Sequence, residues 1–395
     1  MKKITDSRPI GVGIVGAGMV AQVVHLRVLA GLSRQFRPAA IFDIDHNRAE
    51  AVSRAFGIPK VCESLLNLAQ ETSVDAVLVC NSDEYHAEAA CAALEAGKPV
   101  LLEKPAALTL AEIDRMIEVQ GKSDCPVLIG YMRSFADAVH DLLDGFPQLG
   151  QIRLVLCRDI IGPNEYFLRQ VPDIIPTSGL NEVAQSESRR RIAKALGEYG
   201  IDVANKALVR GWQNLCAVGV HDLSTLRYLF GSAHEVLSAS LLGDGDGASI
   251  QFILHESTPA SYQLLIDRQG RFDARIEIFG EHGVVSLIYN TPFLRNLPTT
   301  LEFLTTEGDR FEHRAQRPSF VDPFTREWQH FHAVLTQGTT PETTLVGAKE
   351  DMALIHQIVQ KLKSTVQSDN FEKQEDNETS SGFRSRRSCA ANHCQ

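Results

Sequence analysis

The sequence predicts an α/β domain built on a parallel sheet, followed by an α+β domain whose sheet is mostly antiparallel. Three observations lead there. Continuous apolar segments alternate with helical ones as far as about Arg133; beyond that point alternating strands are joined by tight turns; and 395 residues are long for one hydrophobic core.

In the first part, "PIGVGIVG" reads as a strand and "MVAQVVHLRVLAGL" as a helix. Strand "FRPAAIFDI" follows, then helices "NRAEAVSRAFG" and "LLNLAQE", strand "VDAVLVC" and helix "YHAEAACAALEAG". Strand "PVLLEK", helix "TLAEIDRMIEVQG" and strand "PVLIGY" complete the domain. Strands apolar along their whole length belong to a parallel sheet covered on both faces. The second part opens on "QIRLVLCRDII" and a polar, Pro-containing insertion at about 162–211. A helix over Asn214–Gly231 comes next, then strands "ASIQFIL", "ASYQLLID", "ARIEIFG", "VVSLIYN" and "TTLEFLTT". "GDGDG" and "GEHG" between them are hairpin signals. Helices "FTREWQHFHAVLTQG" and "LVGAKEDMALIHQIVQKLKSTV" close the fold. The boundaries read as 1–133, 134–366 and a polar, disordered tail at 367–395.

Bulk properties exclude several classes. A net charge of −10 disfavours nucleic acid and anionic membrane surfaces. No apolar run reaches the roughly 18 residues that span a bilayer. The apolar part of the N-terminus leads straight into a Gly-rich turn, which reads as a first strand and not as a signal peptide. Eight cysteines (62, 80, 91, 125, 157, 216, 389, 394) are scattered without a CxxC, as expected of buried thiols in a cytoplasmic protein. No metal is expected. His330 and His332 fall on different helix faces, and Cys389, His393 and Cys394 lie in the polar tail.

"VGIVGAGMVAQ" places Gly16-x-Gly18-x-x-Ala21, with Met19 and Val20 inside it, between a strand and a helix. Such glycines let backbone approach a pyrophosphate seated on the helix N-terminus, so the turn is a dinucleotide site. Asp43 ends the next strand, where a carboxylate binds ribose hydroxyls and repels a 2′-phosphate, favouring NAD over NADP. Asp45 is a less favoured candidate for the same role.

"EKP" at 103–105 follows an apolar strand, at the carboxyl end where open α/β sheets bind ligands. Lys104 held there can exchange a proton with a substrate hydroxyl. Taken alone, the tripeptide is equally a solvated strand end. In the helix "NLCAVGVHDLSTLRYLFG", His221 reads either as an active-site proton carrier or as a tolerated core residue.

From Gly11 to about Arg133 the chain resembles the Gfo/Idh/MocA family of glucose–fructose oxidoreductase and inositol dehydrogenase. The matching stretches are "GIVGAGMVAQVVHL", "IFDIDHNRAEAVSRAFGIP", "VDAVLVCNSDEYHAEAACAALEAGKPVLLEKPAALT" and "VLIGYMRSF". The second domain matches more loosely, through "GQIRLV", "VGVHDLSTLRYLFG" and "ARIEIFGEHGVVSLI". The resemblance implies a Rossmann domain and an NAD(P)-dependent oxidoreductase acting on sugars, polyols or their derivatives. It also implies a homodimer or homotetramer joined through the open sheet. By position, Lys104 would be the catalytic lysine and His221 the active-site histidine, with Asn81, Ser82, His86 and Glu103 along the nicotinamide side. One position departs: the family's aspartate four residues before the histidine is here Ala217.

In the family the first strand of the second domain faces the nicotinamide, so Asp159 and Asn164 at its exit are candidate substrate contacts. Tyr131 and Arg133 are candidates to line the cleft. Tyr289 is either a further contact or a core tyrosine. Arg189–Arg191 read as a solvated helix face, with a lid over an anionic substrate as the alternative. The expected chemistry is reversible hydride transfer to or from a carbinol carbon, Lys104 and His221 handling the proton. The alternatives are a redox-assisted epimerase or lyase with retained NAD, and a catalytically silent NAD-binding regulator.

Overall fold

The computed structural model describes residue 4 and residues 8–170 and 173–388, with side chains to 366 except at 147 and 256. In the first domain, β1 (Ile10–Val15), β2 (Phe36–Phe42), β3 (Ala76–Val79), β4 (Val100–Leu102) and β5 (Val127–Ile129) form one sheet. Its order is β2-β1-β3-β4-β5 and every pairing is parallel. β1, β3, β4 and β5 are buried throughout, because helices cover both faces. Register aligns Val15 with Phe42 and Val79, and Val79 with Leu102. Gly16, Asp43, Cys80 and Glu103, each one residue further on, therefore meet at one rim.

The second sheet contains β6 (Ile152–Ile161), β7 (Glu235–Leu242), β8 (Gly247–Ile253), β9 (Pro259–Ile266) and β10 (Phe272–Gly280). β11 (Val284–Tyr289), β12 (Thr300–Glu307) and β13 (Arg310–Gln316) extend it. The order is β13-β12-β11-β10-β6-β9-β8-β7, antiparallel apart from β6 with β9. The sequence pattern reveals neither edge strand. β13 is exposed along nearly its whole length and carries no apolar alternation, so only backbone pairing with β12 makes it a strand. β7 is interrupted by a register shift between Val236 and Ser238.

The inserted region contains the helices Asn164–Leu168 and Glu182–Glu198, and Lys206–Asn214 runs on into the helix bearing His221. Helix Pro323–Gln337 belongs by sequence to the second domain, yet its aromatic face completes the first. Trp328 packs edge-on against Phe36 at 5.0 Å between ring centroids, and Phe331 and Leu335 join the same core. Thr343 clasps Ile129 through two hydrogen bonds. The last helix, Leu345–Ser388, keeps a buried stripe as far as Leu362, and its backbone stays helical beyond 366, where composition suggests an irregular tail. The Glu, Lys and Gln residues of that extension favour helix without needing a core. Cys389, His393 and Cys394 lie outside the described residues. Among the described residues the cysteines are free thiols, no group of His, Cys, Asp or Glu could hold a metal, and no helix is long and apolar enough to cross a membrane.

Candidate active site

The turn after β1 is shaped for a close-approaching ligand. Gly16 has φ +101°, and a Cβ there would come within 2.6 Å of the Cys80 carbonyl and Asn81 amide. At Gly18 the equivalent position faces open space. Asp43 accepts hydrogen bonds from the Ala17 amide (2.7 Å) and from Arg48 on both oxygens (2.9 Å), which ties the end of β2 to the Gly turn. A cleft of about 680 Å³ opens above, lined by Gly16, Gly18, Met19, Val20, Asp43, Arg48, Asn81 and Ser82. The Asn81 Oδ1 is buried without a partner. A glycine cradle, a carboxylate at the end of β2 and an unpaired amide oxygen together fit a dinucleotide.

At the end of β4, the Lys104–Pro105 peptide is cis. Behind it runs a chain of buried hydrogen bonds. The Trp328 indole donates to His25 Nδ1 (3.1 Å), so the ring proton is on Nε2 and points at Glu103 Oε1 (2.9 Å). Glu103 Oε2 accepts from the Lys104 amide at 3.0 Å. Burial opposes ionisation of Glu103, but His25 and the nearby Lys104 outweigh it and hold the carboxyl below its ordinary range. The Lys104 ammonium reaches forward across the domain boundary and donates to the backbone carbonyl of Ala217 at 2.8 Å.

That carbonyl belongs to a wide π-helical turn, Leu215–Gly219, set between the helices Lys206–Asn214 and Val220–Phe230. π-turns of this kind occur often at functional sites. Ala217 is exposed, and His221 follows one turn later, half-buried, with its Nδ1 enclosed and without a partner. Burial, then the positive charges of Lys104 and Arg133, push His221 well below its usual range, so it is neutral at physiological pH. Lys104 and a neutral imidazole thus face the gap between the domains, close to the dinucleotide cleft.

Residues 10–131 match the Gfo/Idh/MocA family, an oxidoreductase family with an NAD-binding Rossmann fold. Over 319 residues the chain is 34% identical to the myo-inositol 2-dehydrogenase of Thermotoga maritima, covering 76% of this chain and 79% of that one. The chain belongs to the Gfo/Idh/MocA family. It is 27% identical over 349 residues to inositol 2-dehydrogenase 2 of Saccharopolyspora erythraea, covering 84% and 86% of the two chains. The fold of this Gfo/Idh/MocA protein is also that of the UDP-N-acetylglucosamine 3-dehydrogenase from Acidithiobacillus ferrooxidans, with a TM-score of 0.67, 19% identity and coverage of 90% and 98%. The protein is an NAD(P)-binding oxidoreductase acting on CH–OH groups, resembling inositol dehydrogenases.

Several candidate contacts of this Gfo/Idh/MocA enzyme have other partners. Arg133, 4% exposed, donates to both oxygens of the fully enclosed Asp159 (2.9 and 3.2 Å) and to Asp222. Tyr262 donates to Asp159 as well, and the Arg133 guanidinium lies 4.7 Å from the Tyr289 ring centre. Arg133, Asp159 and Tyr289 are therefore an internal brace between the domains and do not line the cleft. Burial raises Asp222 well above its usual range; Arg133 pulls against this and Asp159 adds to it. Tyr131 is buried beside Asp351 and Arg227, and Asn164 is exposed at the start of its own short helix. His86 bridges the Pro105 carbonyl (2.7 Å) and the Asn81 carbonyl (3.1 Å), and Glu103 faces His25; both brace the loops that carry Asn81 and Lys104. Asp45 faces the insertion and not a ribose.

Sequence reading missed Arg48, His25 and Trp328. Arg48 lies five residues beyond Asp43, in the first turn of the helix His46–Phe56, a detectable signal; the indole at 328 is 303 positions from its imidazole partner and gives none.

Proposed function

We propose that the enzyme is an NAD-dependent dehydrogenase of a cyclic polyol or sugar-like secondary alcohol, in which Lys104 exchanges the hydroxyl proton and His221 assists. The observation that carries this is Lys104, placed just past β4 and held on the Ala217 carbonyl, with its charge acting on a neutral His221. Bound NAD would supply the acceptor or donor of the hydride at the carbinol carbon. An ammonium has three donors, and the Ala217 carbonyl takes one, leaving others for a substrate oxygen. In the reducing direction Lys104 gives its proton to that oxygen; in the oxidising direction the neutral amine receives it. The half-buried His221 ring, with no partner on its enclosed Nδ1, would offer its open edge for a second hydrogen bond to the same oxygen or a relay of the proton. Burial of the Trp328–His25–Glu103 chain holds the Lys104 backbone from behind. The two inositol dehydrogenase relatives support the substrate class, while Ala217 argues for a different pattern of hydroxyl recognition.

NAD is favoured over NADP because the cleft is ringed by Asp43, Glu84, Glu88 and Glu187, and its lining arginine, Arg48, is already paired with Asp43. The uncovered face of the second sheet, with Leu154, Leu156 and Ile160 beside Arg158, Asp273 and Glu277, is the surface expected to join copies into a dimer or tetramer. Light scattering in solution tests that assembly. The reaction is tested by following NADH absorbance over a panel of polyols, sugars and hydroxy acids, with Lys104→Met as control. Turnover abolished by that substitution supports the reading. Tight NAD binding with no turnover on any member would replace it with an NAD-binding regulator.

A further inference from the structure

Residues 173–191 form a strap from the insertion that crosses the first domain and is held at both ends. At one end the Asp45 carboxylate accepts from Thr177 Oγ1 (2.8 Å), the Ser178 amide (2.6 Å) and Ser178 Oγ (2.6 Å). Gln22, on the helix that opens at the Gly turn, exchanges two hydrogen bonds with the Ile175 backbone, at 2.8 and 3.0 Å. At the other end Ser188 donates to Glu84 (2.5 Å), and Arg191 pairs with Glu88 (2.6 Å) while stacking over the Tyr85 ring. The Arg191 charge is thus taken by the first domain and not by a substrate anion.

Between those anchors the strap contributes Leu180, Asn181, Val183 and Ala184 to the lining of the dinucleotide cleft. Val183 is 78% exposed and Leu180 is 36% exposed; Ile44, across the cleft beside Asp43, is 66% exposed. Large apolar side chains facing one another across a cleft without filling it suit a flat apolar ligand. The adenine of a dinucleotide whose ribose is held by Asp43 would lie at this end.

We propose that the strap is the second half of the cofactor site, taking the adenosine end of NAD between Leu180 and Val183 on one side and Ile44 on the other, and that it must leave Asp45 before the cofactor can exchange. This rests on the NAD reading above. Its consequence is slow cofactor exchange, which makes NADH release the limiting step of the dehydrogenase cycle proposed above.

The test uses full-length protein and three probes: NADH, ADP-ribose and nicotinamide mononucleotide. NADH release is timed by stopped-flow fluorescence, and fragment binding is measured by calorimetry. Asp45→Asn keeps the helix cap but weakens the latch, and is expected to speed NADH release at least tenfold, as is Ser178→Ala. Val183→Ala combined with Leu180→Ala is expected to weaken ADP-ribose at least fivefold and to leave nicotinamide mononucleotide unchanged. Melting of the unliganded variants controls for folding. Release and ADP-ribose affinity unchanged in folded variants overturn the strap while leaving the NAD reading intact. Failure of the unsubstituted protein to bind NADH or ADP-ribose overturns both.

Discussion

Lys104 Nζ hydrogen-bonds the backbone carbonyl of Ala217 at 2.8 Å, across the boundary between the two domains. Where the resemblance places a carboxylate at 217, this chain offers a main-chain oxygen instead. A carbonyl oxygen has two lone pairs, so in a widened turn it can take a side-chain donor in addition to a helical one. The lysine ammonium is thereby held in front by a neutral acceptor, with the Glu103 carboxylate behind it at the backbone. An acceptor able to recognise a second substrate hydroxyl is lost in exchange.

Ala217→Asp restores that acceptor on the helix face shared with His221. The ratio of kcat/KM between two polyols differing at one hydroxyl is expected to shift by about tenfold or more, the worth of a hydrogen bond to a charged group. The NAD dissociation constant, set at a separate part of the cleft, is expected to change by less than about twofold. Steady-state kinetics on paired substrates, with NAD binding measured alongside, checks both. Identical substrate profiles would sink the idea.

Lys104→Met removes the proposed proton carrier while keeping most of the length of the side chain. The expected loss in kcat is about 10²- to 10⁴-fold, with NAD binding retained. A variant that turns over at the parent rate would assign the proton transfer to another group.

What was legible in the sequence had local signals. The Gly turn, Asp43 and the strand that leads into Lys104 are each contained in a short stretch, and parallel register alone brings them to one rim. The strap was not legible, because the contacts of Ser178 with Asp45 span 133 positions and use residue types common in any loop. The internal partners of Arg133, Asp159 and Tyr289 were not legible for a related reason. A charged residue at a strand end suggests a ligand until its partner is known, and the guanidinium here neutralises carboxylates 26 and 89 positions away. The helix Pro323–Gln337 was recognised as a helix but not as part of the first domain, since periodicity reports a buried face and not what buries it.

Arg133→Met separates the internal brace from a substrate-binding role. It leaves Asp159 and Asp222 enclosed without a cation, and removing one partner of a buried charge pair costs about 3–5 kcal/mol. The urea midpoint is expected to fall accordingly, and Asp222→Asn added to Arg133→Met is expected to recover part of the loss. A raised KM at unchanged stability would instead return Arg133 to the cleft.

His221 makes a prediction about acid stability. The folded protein holds this imidazole neutral well below its usual range, whereas the unfolded chain takes up a proton near the ordinary value of about 6.5. Above that pH both states are neutral and the group contributes nothing. As pH falls from about 6.5 toward the depressed folded value, the unfolded state binds the extra proton and stability is lost at about 1.4 kcal/mol per pH unit. The raised Asp222 beside it acts with the opposite sign, so the informative quantity is a difference between two proteins that both retain Asp222. Urea unfolding at pH 7.5 and 5.5 is expected to give His221→Gln a smaller loss on acidification than the parent, by about 1.4 kcal/mol. Equal losses would mean that His221 is protonated in the fold, and the neutral imidazole proposed beside Lys104 would have to be abandoned.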